Sequence, residues 1–435
     1  MKLSTRVAAS VATLTLVGTL AACSAAPTTS GSSTSTTSKS QAAVASTSSL
    51  FDSSTVHDIS LTVDETQYTA MIAAYLADKT KGWISATLTI DGTVLENVGI
   101  KLKGNSTLRV VSADADPATL PWLIKTDKYV DGQSFEGESQ LVVRGNSTET
   151  SLNEAVALEL LADAGLATQQ ATESRFSVNG GTAQLRLVIE NPDSEWDEQQ
   201  FGTSDGLLYK ADAGGDYSYR GDDATSYTDV FDQEAGDDDL VPLTTFLKFI
   251  NDADDATFAS DLSKYLDVDS FAKYLAFQDL VDNFDDIDGP GNNSYLHYDP
   301  DTKLMTVVNW DLNLAFGTAN VGGGGGGQGG APQGGGQGGP QNGGAAPGGA
   351  QGGGQGGGGG RSGNNVLATR FLANADFKAL YDQATTDLTA SLFTSGDAQE
   401  ALDAWTATLT ADASDLVDAA TITKESAAVA SSFAK

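Results

Sequence analysis

Between Asp282 and Gly317 the chain concentrates the side chains best suited to chemistry. Four carboxylates (Asp282, Asp285, Asp286 and Asp288) precede two amides, Asn292 and Asn293, and a further carboxylate, Asp311, follows between Trp310 and Leu312. A calcium-binding EF-hand loop is excluded by spacing. Counted back from Asp288-Gly289, its first ligand position falls on Phe284 and its twelfth on Tyr295, where that loop needs carboxylates. What remains is a loop aspartate, an asparagine a few residues on, and a second aspartate after a hairpin. Phosphoryl transfer uses this set: one Asp orients the acceptor hydroxyl, while an Asn and a second Asp hold magnesium on the nucleotide phosphates. Asp288 and Asn293 stand five apart, the D-x-x-x-x-N spacing of a kinase catalytic loop. Asp and Asn are also ordinary turn residues, so that spacing alone decides little. Asp311, set between two apolar neighbours, is costly to bury without a cation or hydrogen bonds.

Such chemistry also needs a cation on the phosphates. Lys125 ends the strand-like run from Pro121, and Glu154 lies in the first turn of the helix expected from Leu152. A strand lysine followed by a helix glutamate is the order found in kinases, although acids also favour first turns through the helix dipole. Lys103, Arg144 and Lys210 are rival cations. Lys103-Gly-Asn-Ser-Thr107 and Arg144-Gly-Asn-Ser-Thr148 repeat one another. Each sets a cation beside a Gly-containing turn that can offer N–H groups to phosphate or simply turn a hairpin. No G-x-G-x-x-G or Walker A loop exists outside the Gly/Gln-rich tract. The two histidines, His57 and His297, read as structural, and no Ser-His-Asp grouping is evident.

These residues need a scaffold, and the periodicities supply one. Residues 57–63 and 86–90 alternate as strands, Asp91-Gly92 is a hairpin turn, and residues 98–103 continue the sheet. Leu152, Val156, Leu160 and Leu161 mark one helix, stopped by Gly165. Strands return at 174–178 and 183–189. Residues 241–282 read as helical, and a hairpin at 294–298 and 304–309 delivers Asp311. The expected fold is α+β: a mainly β part with one clear helix, then a mainly α part.

The ends and interruptions are compositional. Lys2 and Arg6 precede an uncharged apolar stretch from Val7 to Ala22, and Leu20-Ala21-Ala22-Cys23 follows the pattern of a bacterial lipoprotein cleavage site. The expected order is a lipoprotein signal peptide (1–22), lipid on Cys23, and a Ser/Thr-rich tether (23–50). After these come a domain at 51–320, a disordered Gly/Gln-rich loop (321–365) and a helical continuation (366–435). Cys23 is the one cysteine, so no intrachain disulfide forms. The expected location is the extracytoplasmic face of a membrane. With 24 basic and 58 acidic residues the formal net charge is −34, which repels a nucleic-acid backbone over most of the surface and argues against nucleic acid as a partner.

The whole set resembles the spore coat protein H (CotH) kinase family. Its motifs are matched by Asn283-Phe-Asp285, Asn293-Ser-Tyr295-Leu296, Asp299-Pro300, Trp310-Asp311-Leu312-Asn313, Phe316-Gly317, the Lys103-Gly-Asn-Ser106 element and Leu208-Tyr209-Lys210. The likeness covers about residues 55–320 and continues into 366–385. It implies a divergent protein-kinase-like two-lobed fold. It also implies transfer of phosphate from ATP to Ser or Thr of a surface or envelope protein, with Mg2+ or Mn2+. By motif Asp285 is the loop aspartate, whereas kinase spacing favours Asp288, and the choice stays open. Asn293 and Asp311 would bind the metal. A non-catalytic surface protein on the same fold, acting in adhesion or envelope assembly, is the alternative; the Gly/Gln-rich loop and the acidic run from Gly221 to Leu240 suit it.

Overall fold

The computed structural model describes residues 49–212, 214–289, 292–318 and 365–435. Cys23, the tether up to residue 48 and the Gly/Gln-rich segment up to residue 364 lie outside these residues, while Leu50, at the expected end of the tether, is buried in the barrel core.

Seven strands close into a barrel in the order β1-β2-β3-β4-β5-β7-β6. They are β1 (Val56–Val63), β2 (Ile84–Ile90), β3 (Thr93–Leu102), β4 (Trp122–Lys125), β5 (Gln140–Val143), β6 (Ala171–Val178) and β7 (Gln184–Glu190). All neighbours pair antiparallel except β1 and β6, whose parallel pairing closes the barrel and leaves no free edge. The period of two fills its interior: Ile59 and Leu61, Val98, Ile100 and Leu102, Trp122 and Ile124, and Leu141 and Val143 share one buried cluster. At the Asp91-Gly92 turn both residues have positive φ (47° and 84°), as a tight two-residue hairpin requires.

A second sheet has the order β11-β10-β8-β9, from β8 (Leu207–Ala211), β9 (Phe231–Ala235), β10 (Ser294–Asp299) and β11 (Leu304–Asn309). The helices are α1 (Glu65–Asp78), α2 (Leu152–Asp163), α3 (Ser194–Phe201), α4 (Val241–Asp252), α5 (Asp255–Asp261), α6 (Val268–Leu280), α7 (Val366–Ala373), α8 (Ala375–Leu388), α9 (Asp397–Asp412) and α10 (Ala419–Ala430). Two of them, α1 and α3, were not expected. Each is announced only by an aspartate cap, Asp64 and Asp193, and α1 buries just Met71, Ile72 and Tyr75. The helical run after residue 241 is cut in three because Asp254 and Asp267 each cap a new start.

The mixed α and β class agrees with the sequence. The division into a mainly β part and a mainly α part holds less well, because a four-stranded sheet stands where one hairpin was expected and the C-terminal helices return to the barrel. Residues of α2, α9 and α10 share one core with the outward faces of β6 and β7. At the start of α2, Ser151 has a left-handed backbone (φ 52°) and makes no side-chain cap bond. Glu425 of α10 instead holds the turn that precedes the helix, accepting from the backbone N–H groups of Glu149 (3.1 Å) and Thr150 (2.9 Å) and from the Thr150 hydroxyl (2.6 Å). A side chain about 275 residues away thus fixes the entry of the helix that carries Glu154. Replacing Glu425 by Ala leaves those donors unmet and should lower the unfolding free energy by about 1–3 kcal/mol in urea titrations. A change within about 0.5 kcal/mol would show that water satisfies these donors equally well.

Candidate functional site

One wall of a cleft of about 1030 Å3 is the outer face of the barrel. Because Ile100 and Leu102 point into the barrel, Gly99 and Lys101 must face out. Register carries that face across the sheet: Lys101 pairs with Leu123, Gly99 with Lys125, and Lys125 with Gln140. Lys101, Lys103, Lys125 and Arg144 therefore look the same way. Facing them are Lys210 of β8, Asp232 and Glu234 of β9, the loop carrying Asp285, Asn292 and Asn293, and Trp310-Asp311. Eight of the chain's 24 basic side chains line this one cleft, against six carboxylates. In a chain of net charge −34 that ratio marks the cleft as its cationic region.

Trp310 is the floor. The Lys103 and Lys210 ammonium groups lie 5.3 and 5.7 Å from its ring centre, and the Arg144 guanidinium lies 5.7 Å away. Tyr295 of β10 meets the ring edge-on, with centroids 5.5 Å apart. Lys103 donates to Asn191 Oδ1 (3.0 Å). Burial first, and then the adjacent Lys210 charge, hold the Lys103 ammonium well below the usual lysine value. The two Gly-Asn-Ser-Thr repeats meet beside it. A Cβ on Gly104 would sit 2.4 Å from the Thr107 hydroxyl, and one on Gly145 would sit 3.1 Å from the Thr107 methyl. Only glycine lets the turns after Lys103 and Arg144 pack this closely.

Arg144 is the pivot of the site. Its Nε donates to Glu154 Oε2 (3.0 Å), its Nη2 lies 2.8 Å from Glu154 Oε1, and Nη2 also reaches the carboxylate of Asp311. Burial opposes the guanidinium charge, but Asp311 and Glu154 outweigh it and hold the group above the usual arginine range. The expected pairing of Glu154 with Lys125 is thus corrected: Glu154 faces Arg144, and Lys125, still on the cleft wall, has Asp127 at 3.5 Å. Lys125 sits on β4 and Arg144 just past β5, one strand nearer α2; that reach decides the pairing.

The loop before β10 is rigidly based. Asn283, fully buried, donates to Gln278 Oε1 (2.9 Å), and Gln278 donates to Asn309 Oδ1 (2.6 Å). Gly289 donates to Asp286 Oδ1 (2.7 Å), and a Cβ there would lie 2.2 Å from the Phe284 carbonyl oxygen. On this base Asn293 Nδ2 donates to the Asp285 carbonyl (2.7 Å) and carboxylate (3.1 Å). Burial, followed by the charge of Asp311, raises the Asp285 carboxyl above its usual value, while the Asn293 bond opposes the rise. Asp285, Asn293 and Asp311 line the cleft, as do Lys103, Lys125 and Lys210; Asp288 is not among the lining residues, and Glu154 stands behind Arg144. His297 is held by Asp197 (2.8 Å) and stacked on Phe201 (3.6 Å). Sequence reasoning missed Lys101, Lys128 and Trp83 of the cleft wall, although the alternation Ile100-Lys101-Leu102-Lys103 carried the signal.

Among the described residues no three His, Cys, Asp or Glu side chains form a ready-made metal cage. Magnesium seldom uses one; it takes one or two carboxylates and completes its shell with phosphate oxygens and water. Asp311 and Asn293, whose amide nitrogen is committed to Asp285 and whose oxygen is the remaining donor, fit a cation that arrives with phosphate.

Residues 100–428 match the family described as CotH kinase protein. Over 191 residues the chain is 22% identical to the inner spore coat protein H of Bacillus subtilis (strain 168), an alignment that covers 42% of this chain and 52% of that protein. The chain thus spans about half the length of that relative.

Removing Arg144 strands a buried Glu154 and frees Asp311. Arg144→Ala should cost about 3–5 kcal/mol of unfolding free energy, the scale for breaking one side of a buried pair. The Arg144→Ala/Glu154→Gln double variant should cost clearly less than the sum of its parts. Additive losses would mean the two side chains do not depend on one another.

Proposed function

The chain belongs to the CotH kinase protein family, and from that premise we propose that the cleft transfers phosphate from ATP to Ser or Thr of envelope or surface proteins. The observation that carries the reading is one juxtaposition. Asp285, Asn293 and Asp311 share a cleft with Lys103, Lys125, Lys210 and Arg144. Acceptor orientation and phosphate neutralisation both need to be within reach of one reacting group, and phosphoryl transfer asks little else of a protein. In this reading the barrel and the helix-rich part act as the two lobes of a divergent kinase-like fold.

Each residue has a separate task. Asp285, half-buried and with its carboxyl raised by burial, orients the acceptor hydroxyl and takes its proton. Lys103, Lys210 and Arg144 over Trp310 offset phosphate charge, with Lys125 further along the wall. Glu154 acts through Arg144, setting where the guanidinium points. Asn293 and Asp311 would hold the Mg2+ or Mn2+ that accompanies ATP, which supplies further charge neutralisation. Asp311 meets Arg144 through Oδ1, so a cation on this carboxylate would compete with the guanidinium and favour its turning to phosphate. The setting in this reading is the extracytoplasmic face of a membrane, through lipid on Cys23.

The test is phosphotransfer by the full chain with labelled ATP, Mg2+ and a Ser/Thr-containing acceptor protein. Asp285→Asn should cut transfer at least about a hundredfold, the scale of a positioned general base, while the ATP-induced rise in melting temperature survives. Asp288→Asn should stay near wild type, and Asp311→Ala should lose the thermal shift. Wild-type transfer by Asp285→Asn contradicts the assignment. ATP binding by a wild type that phosphorylates no acceptor favours a non-catalytic role in adhesion or assembly.

A further inference from the structure

The cationic surface runs well past the reacting end of the cleft. At its outer corner the Lys101 and Lys128 ammonium groups lie over the Trp83 ring, 4.8 and 5.2 Å from its centre. The corner depends on a glycine. A Cβ on Gly99 would lie 2.5 Å from Cβ and Cγ of Lys128 and 3.1 Å from the Trp83 ring, so any other residue would push the lysine off the strand. Lys81 joins the corner to the turn after Lys103 by donating to the Gly104 carbonyl (2.6 Å). Lys101 and Lys103 stand two residues apart on one strand face, about 6.7 Å, so the Trp83 corner and the Trp310 floor form one track.

That track is under electrostatic stress. Burial comes first, and then the charges of neighbouring lysines, Lys210 among them, in holding the Lys81 and Lys101 ammonium groups below the usual lysine value. Glu234 and Asp232 across the cleft relieve Lys101 in part, as Asp212 does Lys81. Among the described residues none of Lys81, Lys101, Lys103, Lys128 and Lys210 has an ion-pair partner. A nucleoside triphosphate would relieve only the Trp310 end, because beyond its phosphates it carries a neutral sugar and base. Two ammonium groups over Trp83, with Lys81 between them and the turn after Lys103, ask for an occupant that is still anionic there.

We propose that the Trp83 corner is a second anion subsite, continuous with the Trp310 floor, and that the cleft binds a linear inorganic polyphosphate longer than three phosphates. The proposal rests on the reading of the Trp310 floor as a phosphate site, but it is tested by binding alone. Melting temperature and titration calorimetry of the full chain would compare tripolyphosphate with a long-chain polyphosphate, without metal. The long chain should bind at least about tenfold tighter per chain and with a steeper salt dependence, since more phosphates are neutralised. The Lys101→Gln/Lys128→Gln double variant should erase that advantage yet keep its affinity for tripolyphosphate. Should the double variant fail to fold, Lys81→Gln, outside any strand or helix, should give a partial loss of the advantage. Equal affinity for the two chain lengths overturns the second subsite. So does a polyglutamate of matched charge that binds as tightly and loses its affinity in the same variants, because the corner would then be a site for acidic protein. Chain-length-dependent binding without phosphotransfer would sink the kinase reading and leave the subsite standing.

Discussion

Everything in the cleft turns on where one guanidinium is held. Arg144 leaves the end of β5, meets Glu154 on α2 and reaches Asp311 just past β11, so three segments distant in sequence are joined by one fork of N–H donors. The group is nearly buried, at 8% exposure, and Glu154 at 3% more so. Charges desolvated to that degree persist only when mutually paired, since either alone would cost several kcal/mol. The geometry is supported from outside the cleft. Glu425 of α10 holds the turn before α2, Asn153 of α2 donates to the Asn313 carbonyl (2.7 Å), and Asn313 donates to the Ser147 hydroxyl (3.0 Å). The segment after Trp310 is thus bolted to both the helix and the second Gly-Asn-Ser-Thr turn.

The same pairing explains how a very acidic protein can keep a basic cleft. Its surface carboxylates repel polyanions at close range, but screening removes most of that repulsion beyond about 8–10 Å at physiological salt. Inside the cleft the barrel face is what matters, and a strand face presents its lysines every second residue without interruption. The cations there are restrained by burial and by one another, so an anion that enters relieves repulsion as well as gaining contacts. Asp285 and Asp311, two carboxylates on the same wall, are the groups such an anion would bring a cation to balance.

Much of this was legible in the residues. The hairpin at Asp91-Gly92, α2 with its stop at Gly165, and the β10–β11 hairpin that delivers Asp311 all follow from local periodicity and turn chemistry, as did the structural reading of His297. The closure of the barrel was not legible, because the parallel pairing of β1 with β6 is a contact between segments more than a hundred residues apart. Helix α1 escaped because a helix that buries three side chains leaves little periodic trace among alanines and threonines. At the site, the choice between Asp285 and Asp288 was beyond sequence, since both are loop aspartates; the buried Asn283 and the Gly289 turn turn one of them to the cleft. Preferring Lys125 over Arg144 as the partner of Glu154 failed for a related reason. Order along the chain says which strand precedes a helix, but not which strand lies against it.

On the proposed function a cation takes up the Asp311 carboxylate and Arg144 turns to phosphate. A crystal structure of the full chain grown with a non-hydrolysable ATP analogue and Mn2+ would decide this by anomalous scattering from the metal. The expected result is a manganese peak bound by Asp311 and Asn293, with Arg144 turned to the phosphates while still held by Glu154. Manganese bound elsewhere, or phosphates out of reach of Arg144, would sink it.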